Sequence, residues 1–255
     1  MRPVPGVMQS SPLPNPESFS KRIHNTLVAP EATRSEVLAF CEDARTYGFG
    51  AVVVQGCWVK EARDTVGASV HVSAGVGFPM GGVTTESKAF EIAETSKQGA
   101  DMFDVMPNIG YLKSGMFDEF KDDIAAMVRA AKGRPVRVML EFSVLDRGQK
   151  VMAARLSEES GVAGVKNSSG WGRGGPATVE DVKLLRETVS EKVHVKASGG
   201  IRNLDTAIAM VQAGADYLGT RAGVTIIDEL RARVGQPAKA AGGYRGGGAS
   251  AGDLE

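Results

Sequence analysis

From about residue 23 to residue 234 the chain alternates short β-branched runs with longer amphipathic stretches in which apolar positions recur at helical spacing. The apolar runs read as strands at Thr26–Val28, Ala51–Gln55 (AVVVQ), His71–Gly77 (HVSAGVG), Ala100–Met106 (ADMFDVM), Val136–Phe142 (VRVMLEF), Gly164–Ser168 (GVKNS), Val193–Ser198 (VHVKAS) and Asp216–Thr220 (DYLGT). A helical stretch follows each one. The first is expected over Thr33–Tyr47, with Thr33 as N-cap, Glu36 completing a capping box and Gly48 as the stop; the last runs from about Gly223 to Val234. Eight strand–helix pairs in strict alternation predict an α/β chain folded as a (β/α)8 TIM barrel. The rival, an open doubly wound sheet, would place G-x-G-x-x-G after the first strand with an acidic residue about 20 positions on, and no such run follows the first strand here.

Composition delimits that picture. A chain of 255 residues, 42% hydrophobic, suits one barrel domain, expected over 17–235. A Pro-rich segment, 1–16, and a Gly/Ala-rich tail, 236–255, are expected to be flexible. Thirty basic residues balance thirty acidic ones, so no global field draws in nucleic acid or an anionic membrane, and any anion site must be built locally. The two cysteines, Cys41 and Cys57, lack metal-ligand spacing, so no metal is expected. No apolar run approaches the roughly 18 residues a membrane span needs, and the N-terminus has no signal-peptide core. A cytoplasmic protein is the expectation.

In a barrel the chemistry sits at the C-terminal ends of the strands. The sixth strand places Lys166, and the seventh Lys196, inside apolar runs and at matching depth. Burial and a neighbouring ammonium both disfavour a charged lysine, and an amine tuned toward roughly pH 7 to 8 attacks carbonyls. Asp104, set among Phe103, Val105 and Met106, is the candidate proton relay, whereas Asp101 falls at the strand start. Read singly, each of these groups also fits a salt bridge at the barrel mouth. Gly199–Gly200 after the seventh strand, Gly219 with Thr220 at the eighth and Gly170 after the sixth are candidates for a phosphate-binding backbone. Arg221 and Arg202 flank these loops, Arg202 with Asp205 as an alternative partner.

The runs FPMGG (78–82), GADMFDVMPNIGYLKSG, GVKNSSGWG, VKASGGIR and AGADYLGTRAG resemble, in order and spacing, the signatures of the deoxyribose-phosphate aldolase family, and the similarity covers about Ile23 to Leu230. The resemblance implies reversible cleavage of 2-deoxyribose 5-phosphate to glyceraldehyde 3-phosphate and acetaldehyde, with no metal and no dissociable cofactor. It assigns the Schiff base to Lys166. Lys196 would lower the pKa of Lys166 and, with Asp104, pass protons through a bound water; Thr26, Asn167, the glycines above and Arg221 would contact the small phosphorylated sugar or aldehyde. A homodimer is the implied assembly.

The chain departs from the family pattern at four places. The family's Asp-His-Thr on the first strand is His24-Asn25-Thr26 here, which removes a carboxylate that would hold the second lysine. Asn167 stands where the family prefers Thr. Gln55-Gly56 replaces an Asn or Tyr followed by Pro, changing the mouth near Cys57 and Trp58, with Trp58 read either as a pocket wall or as a packed helix residue. Arg221-Ala222 replaces two phosphate-binding serines, leaving a different anion, another sugar or another acceptor open. Some family members fold a C-terminal tyrosine over the site, a role Tyr244 would fill. A non-catalytic phosphate-binding relative is the alternative of another class.

Overall fold

The computed structural model describes residues 13–171 and 175–240. Eight parallel strands close into a barrel in sequence order: β1 (Ile23–Leu27), β2 (Ala51–Gln55), β3 (His71–Val76), β4 (Met102–Val105), β5 (Val136–Met139), β6 (Gly164–Lys166), β7 (His194–Ser198) and β8 (Tyr217–Thr220), with β8 pairing back onto β1. The connecting helices are α2 (Arg34–Tyr47), α3 (Val59–Val66), α4 (Thr85–Lys97), α6 (Phe117–Ala130), α7 (Arg147–Glu159), α8 (Val179–Thr188), α9 (Leu204–Gln212) and α10 (Gly223–Arg233); two short helices, α1 (Pro16–Ser20) and α5 (Ile109–Lys113), are additions. The expected TIM barrel is therefore the fold.

Local signals place the helix ends. Thr33 accepts from the Glu36 backbone while Glu36 reaches back to Thr33, the reciprocal cap expected at the start of α2, and Gly48 ends that helix with φ 67°. Such a cap contributes about 1 kcal/mol. Asp146 and Gln149 repeat the arrangement on α7.

Alternation along each strand decides which side chains enter the barrel. Phe103 and Val105 of β4, Val136 and Val138 of β5, Val165 of β6, Val195 and Ala197 of β7, and Leu218 of β8 all join the apolar layer between sheet and helices. Their neighbours Met102, Asp104, Arg137, Met139, Lys166, Lys196, Ser198, Tyr217 and Gly219 consequently face the axis. The interior is thus unusually polar, while the helix-facing layer is mainly apolar.

Three expectations are corrected. β1 begins at Ile23 and ends at Leu27, not Thr26–Val28, because His24 and Asn25 are polar yet buried and paired with β2 and β8. β5 stops at Met139: Glu141 adopts a left-handed conformation (φ 46°) and Phe142–Val144 forms a 3-10 turn. Asp205 pairs with Arg233 on α10 at 2.5 and 2.9 Å, and Arg202 is exposed.

Regular contacts reach beyond the expected barrel limits at both ends. Asn15 caps α1, and Lys239 packs on α2, its carbonyl accepting from the Tyr47 hydroxyl at 3.0 Å. The remainder of both terminal segments, and Tyr244 with them, lies outside the described residues.

Candidate active site

Three strands deliver the charged centre. β4, β6 and β7 point Asp104, Lys166 and Lys196 into the axis, and each of these side chains is at most 2% exposed. Lys196 Nζ donates to Asp104 Oδ2 at 2.6 Å, and Lys166 Nζ lies 3.5 Å from the same oxygen and 3.6 Å from Met139 Sδ. Asp104 Oδ1 is buried with no hydrogen-bond partner among the described residues. One carboxylate oxygen thus organises both amines while the other remains able to accept a hydrogen bond.

The electrostatics follow from crowding three cations around one anion. Burial pulls Lys196 down; Asp104 opposes this, Lys166 and Arg137 reinforce it, and the result is a Lys196 pKa of about 7. Burial alone would raise Asp104, but Lys196, Lys166 and Arg137 outweigh it and hold the carboxyl well below the usual range. Asp104 is therefore ionised at every working pH, and Lys196 exchanges its proton near neutrality.

Gly219 serves this centre from within β8. A Cβ there would lie 2.5 Å from Ser198 Oγ and 3.1 Å from Lys196 Cε, so the missing side chain is the space through which the Lys196 arm passes. Asn167, next to Lys166, is occupied elsewhere: its Nδ2 donates to the Ser198 carbonyl at 3.1 Å and its Oδ1 accepts from Ser198 N–H at 2.8 Å. It ties β6 to β7. Thr26 faces the axis from β1 and donates to the His24 carbonyl at 2.9 Å.

Above the strands, Gly199 and Gly200 turn left-handed with φ 103° and 69°, a path that side chains disfavour. Thr220 binds this loop to the next one, donating to the Ile201 carbonyl at 2.6 Å and accepting from Ala222 N–H at 2.9 Å. α10 starts at Gly223 with no side-chain cap, so its first-turn N–H groups point toward the same corner. Arg221 is exposed beside it and acts electrostatically on Glu36 of α2. Gly170 (φ 76°) lies in the loop after β6, its N–H donating to Ser168 Oγ at 3.1 Å.

Across the mouth, a cleft of about 220 Å³ is lined by Val28, Gln55, Gly75, Phe78, Glu91 and Trp171 among others. Gly75, in its lining, is the register partner of Asp104 on the neighbouring strand, while Asp104, Lys166 and Lys196 themselves do not line the cleft. Phe78 and Trp171 meet edge to face at 6.3 Å, joining the β3 and β6 loops, and Gln55 donates to the Val28 carbonyl at 2.8 Å. Trp58 packs against the helix-side core.

Two contributors were not legible in the sequence. Glu141, turned left-handed above β5, accepts from Ser168 Oγ, Ser169 N–H and Ser169 Oγ and so fixes the loop that follows Lys166. Arg137 enters the axis from β5, under the lysines, with its guanidinium 5.0 Å from the Tyr217 ring centre. An arginine three residues after a turn reads as a solvated strand end until the barrel closes over it.

Comparison with known proteins gives a consistent result. The family model of the DeoC/LacD family aldolases matches residues 21–228. The chain is 45% identical over 215 residues to deoxyribose-phosphate aldolase 1 of Staphylococcus aureus strain Mu50, and 44% identical over 214 residues to deoxyribose-phosphate aldolase 2 of strain MRSA252; each match spans 84% of this chain and 97% of the relative. Among solved structures, the aldolase QR15 superposes with a TM-score of 0.81 at 31% identity, covering 85% of this chain and 97% of that one. A tetrameric deoxyribose phosphate aldolase from Aeropyrum pernix gives 0.79 at 28% identity, covering 86% and 93%. This chain belongs to the DeoC/LacD family of aldolases, carbon–carbon lyases built on the barrel described above.

Proposed function

We propose that the chain cleaves 2-deoxyribose 5-phosphate reversibly to glyceraldehyde 3-phosphate and acetaldehyde, with Lys166 as the Schiff-base nucleophile and Lys196 and Asp104 as the proton-handling pair. The observation that carries this reading is the single Asp104 oxygen lying within 3.5 Å of two buried amines.

In its neutral form Lys166 adds to the C1 aldehyde of the open-chain sugar, and loss of water from the carbinolamine gives an iminium. The C3 hydroxyl proton leaves to a base through the Asp104 and Lys196 relay. The C2–C3 bond then breaks, its electrons flowing into the iminium; glyceraldehyde 3-phosphate departs and an enamine of acetaldehyde stays on Lys166. Protonation at C2 and addition of water release acetaldehyde and regenerate the amine. Lys196, near a pKa of 7, is matched to donating and accepting these protons. The phosphate is assigned to Gly199, Gly200, Gly170, Arg221 and the uncapped start of α10.

The partly apolar cleft beside Gly75 supports a second reading, the same chemistry on an acceptor aldehyde without phosphate, held against the wall that Phe78 and Trp171 form. We assign the chain to the cytoplasm, consistent with an unpaired, exposed Cys57, and to a homodimer, for which Met80, Val83 and Phe90 offer exposed apolar contacts. No helix among the described residues is long and apolar enough to cross a membrane.

The test is a coupled assay that follows glyceraldehyde 3-phosphate release from deoxyribose 5-phosphate. Turnover abolished in Lys166→Ala supports the assignment. No release from the phosphosugar, with aldol formation from unphosphorylated aldehydes, would move the function to the second reading.

A further inference from the structure

The opposite, N-terminal end of the barrel holds a second cavity, of about 640 Å³, that the aldolase reading does not use. Its lining comes from strand starts, with Lys21 and His71 at the rim, His194 and Tyr217 on the wall, and His24 and Arg137 at the floor. The chain has three histidines, and all of them line this one cavity.

The floor is unbalanced in charge. Arg137 is 3% exposed and makes no ion pair with a carboxylate among the described residues; its contacts are Met102 Sδ at 2.9 Å and the face of Tyr217, neither of which carries a formal charge. Its Nε has no hydrogen-bond partner, and neither has Nδ1 of His24, which is 2% exposed and packed 4.5 Å from the Tyr217 ring. Among the described residues, Arg137, Lys166 and Lys196 face a single carboxylate in the axis, Asp104. A buried guanidinium without a counter-charge is costly, and Asp104 is already committed to the two lysines. The carboxylates at the rim are committed as well. Asp101 takes Arg63, His71 and the Val72 N–H, and Asp216 takes Arg186, His194 and the Val195 N–H.

We propose that the N-terminal mouth of the barrel is a binding site for a small oxyanion, a phosphate or a short carboxylate, seated on Arg137 and His24 and drawn in past Lys21. The planar guanidinium suits an oxyanion face, the neutral imidazole donates from Nδ1 in its Nδ1–H tautomer, and Lys21 adds charge at the entrance. The ligand would supply the negative charge that the interior lacks. This site is separated from the phosphate corner proposed above by the height of the barrel, and it does not rest on the aldolase assignment.

Because no other histidine exists in the chain, the imidazole nitrogens are selective reporters. Protein labelled with ¹⁵N-histidine is titrated with inorganic phosphate, and separately with acetate, at fixed pH and ionic strength; His71→Gln and His194→Gln assign the signals. The expected result is a saturable shift of the His24 ring resonances, with the affinity reduced about tenfold or more in Arg137→Met through loss of a charge-assisted hydrogen bond. Lys21→Glu changes only an exposed rim residue and keeps the test open if Arg137→Met fails to fold; it is expected to weaken binding several-fold. Saturation by phosphate alone or by acetate alone identifies which oxyanion the floor prefers. His24 signals that stay unmoved by both anions, or that shift equally in wild type and Lys21→Glu, would overturn the proposal.

Discussion

Asp104→Asn removes one charge and almost no volume, which makes it the sharpest probe of how the two lysines are tuned. At an effective dielectric near 20, unit charges 2.6 Å apart, the Lys196–Asp104 distance, interact by roughly 6 kcal/mol, and even a quarter of that upper bound is about one pKa unit. The direction is fixed by sign: a carboxylate favours the ammonium, so removing it lowers the pKa of Lys196. In the wild-type enzyme Lys196, its pKa pulled down to about 7 by burial, takes up a proton as the pH drops below 7, so kcat/KM should fall there. In Asp104→Asn that acid limb moves to lower pH by one unit or more. The plateau also drops, by roughly 100-fold or more, because the proton relay is gone. The assay is kcat/KM against pH from 5 to 9 on both proteins, with circular dichroism confirming the fold. A limb that stays in place, or that moves to higher pH, would refute the electrostatic account.

Lys196 also links stability to pH. Its folded pKa, about 7, lies below the unfolded value of about 10.4, so above pH 7 the unfolded chain keeps a proton that the folded one releases, and stability rises with pH. Urea unfolding at pH 7 and 9 should show wild type gaining on the order of 2 kcal/mol relative to Lys196→Met; no relative gain would argue against the depressed pKa. Gly219→Ala, which presses a methyl group on Lys196 Cε and Ser198 Oγ, is expected to fold and to lose activity more than about tenfold, read from kcat. In the helix layer, Lys88 and Asp123 form a fully buried pair at 2.7 Å. Asp123→Asn should cost about 3 to 5 kcal/mol in urea unfolding, and Lys88→Met combined with Asp123→Leu should recover part of that loss.

The barrel was readable because its helix-facing strand positions are apolar and regular: Val52, Val54, Phe103, Val105 and Val195 announce their strands whatever the axis holds. Lys166, Lys196 and Asp104 stood out for the converse reason, as charges inside such runs. What stayed hidden depends on closure. Only the register that sets β5 beside β4 and β6 turns Arg137 from a strand-end charge into a buried cation, and only the left-handed Glu141 explains why an apolar run that reads through Phe142 ends at Met139. His24 was legible as a missing carboxylate. Its actual setting was not: burial, then Lys196 and Arg137, hold its pKa well below the ordinary imidazole range against the pull of Asp104, and it stacks on Tyr217 as a neutral ring. Asn167, read as a substrate contact, has its amide on the Ser198 backbone, a partner 31 residues away that no local pattern reveals.

The central claim is that Lys166, and not Lys196, becomes covalently attached to substrate. Incubation with deoxyribose 5-phosphate and borohydride, followed by peptide mass mapping of wild type, Lys166→Ala and Lys196→Ala, tests it directly. The account predicts a reduced adduct on the peptide containing Lys166, absent from Lys166→Ala and retained, more slowly formed, in Lys196→Ala. An adduct on Lys196, or none on either lysine in a protein that still turns over the sugar, would contradict it.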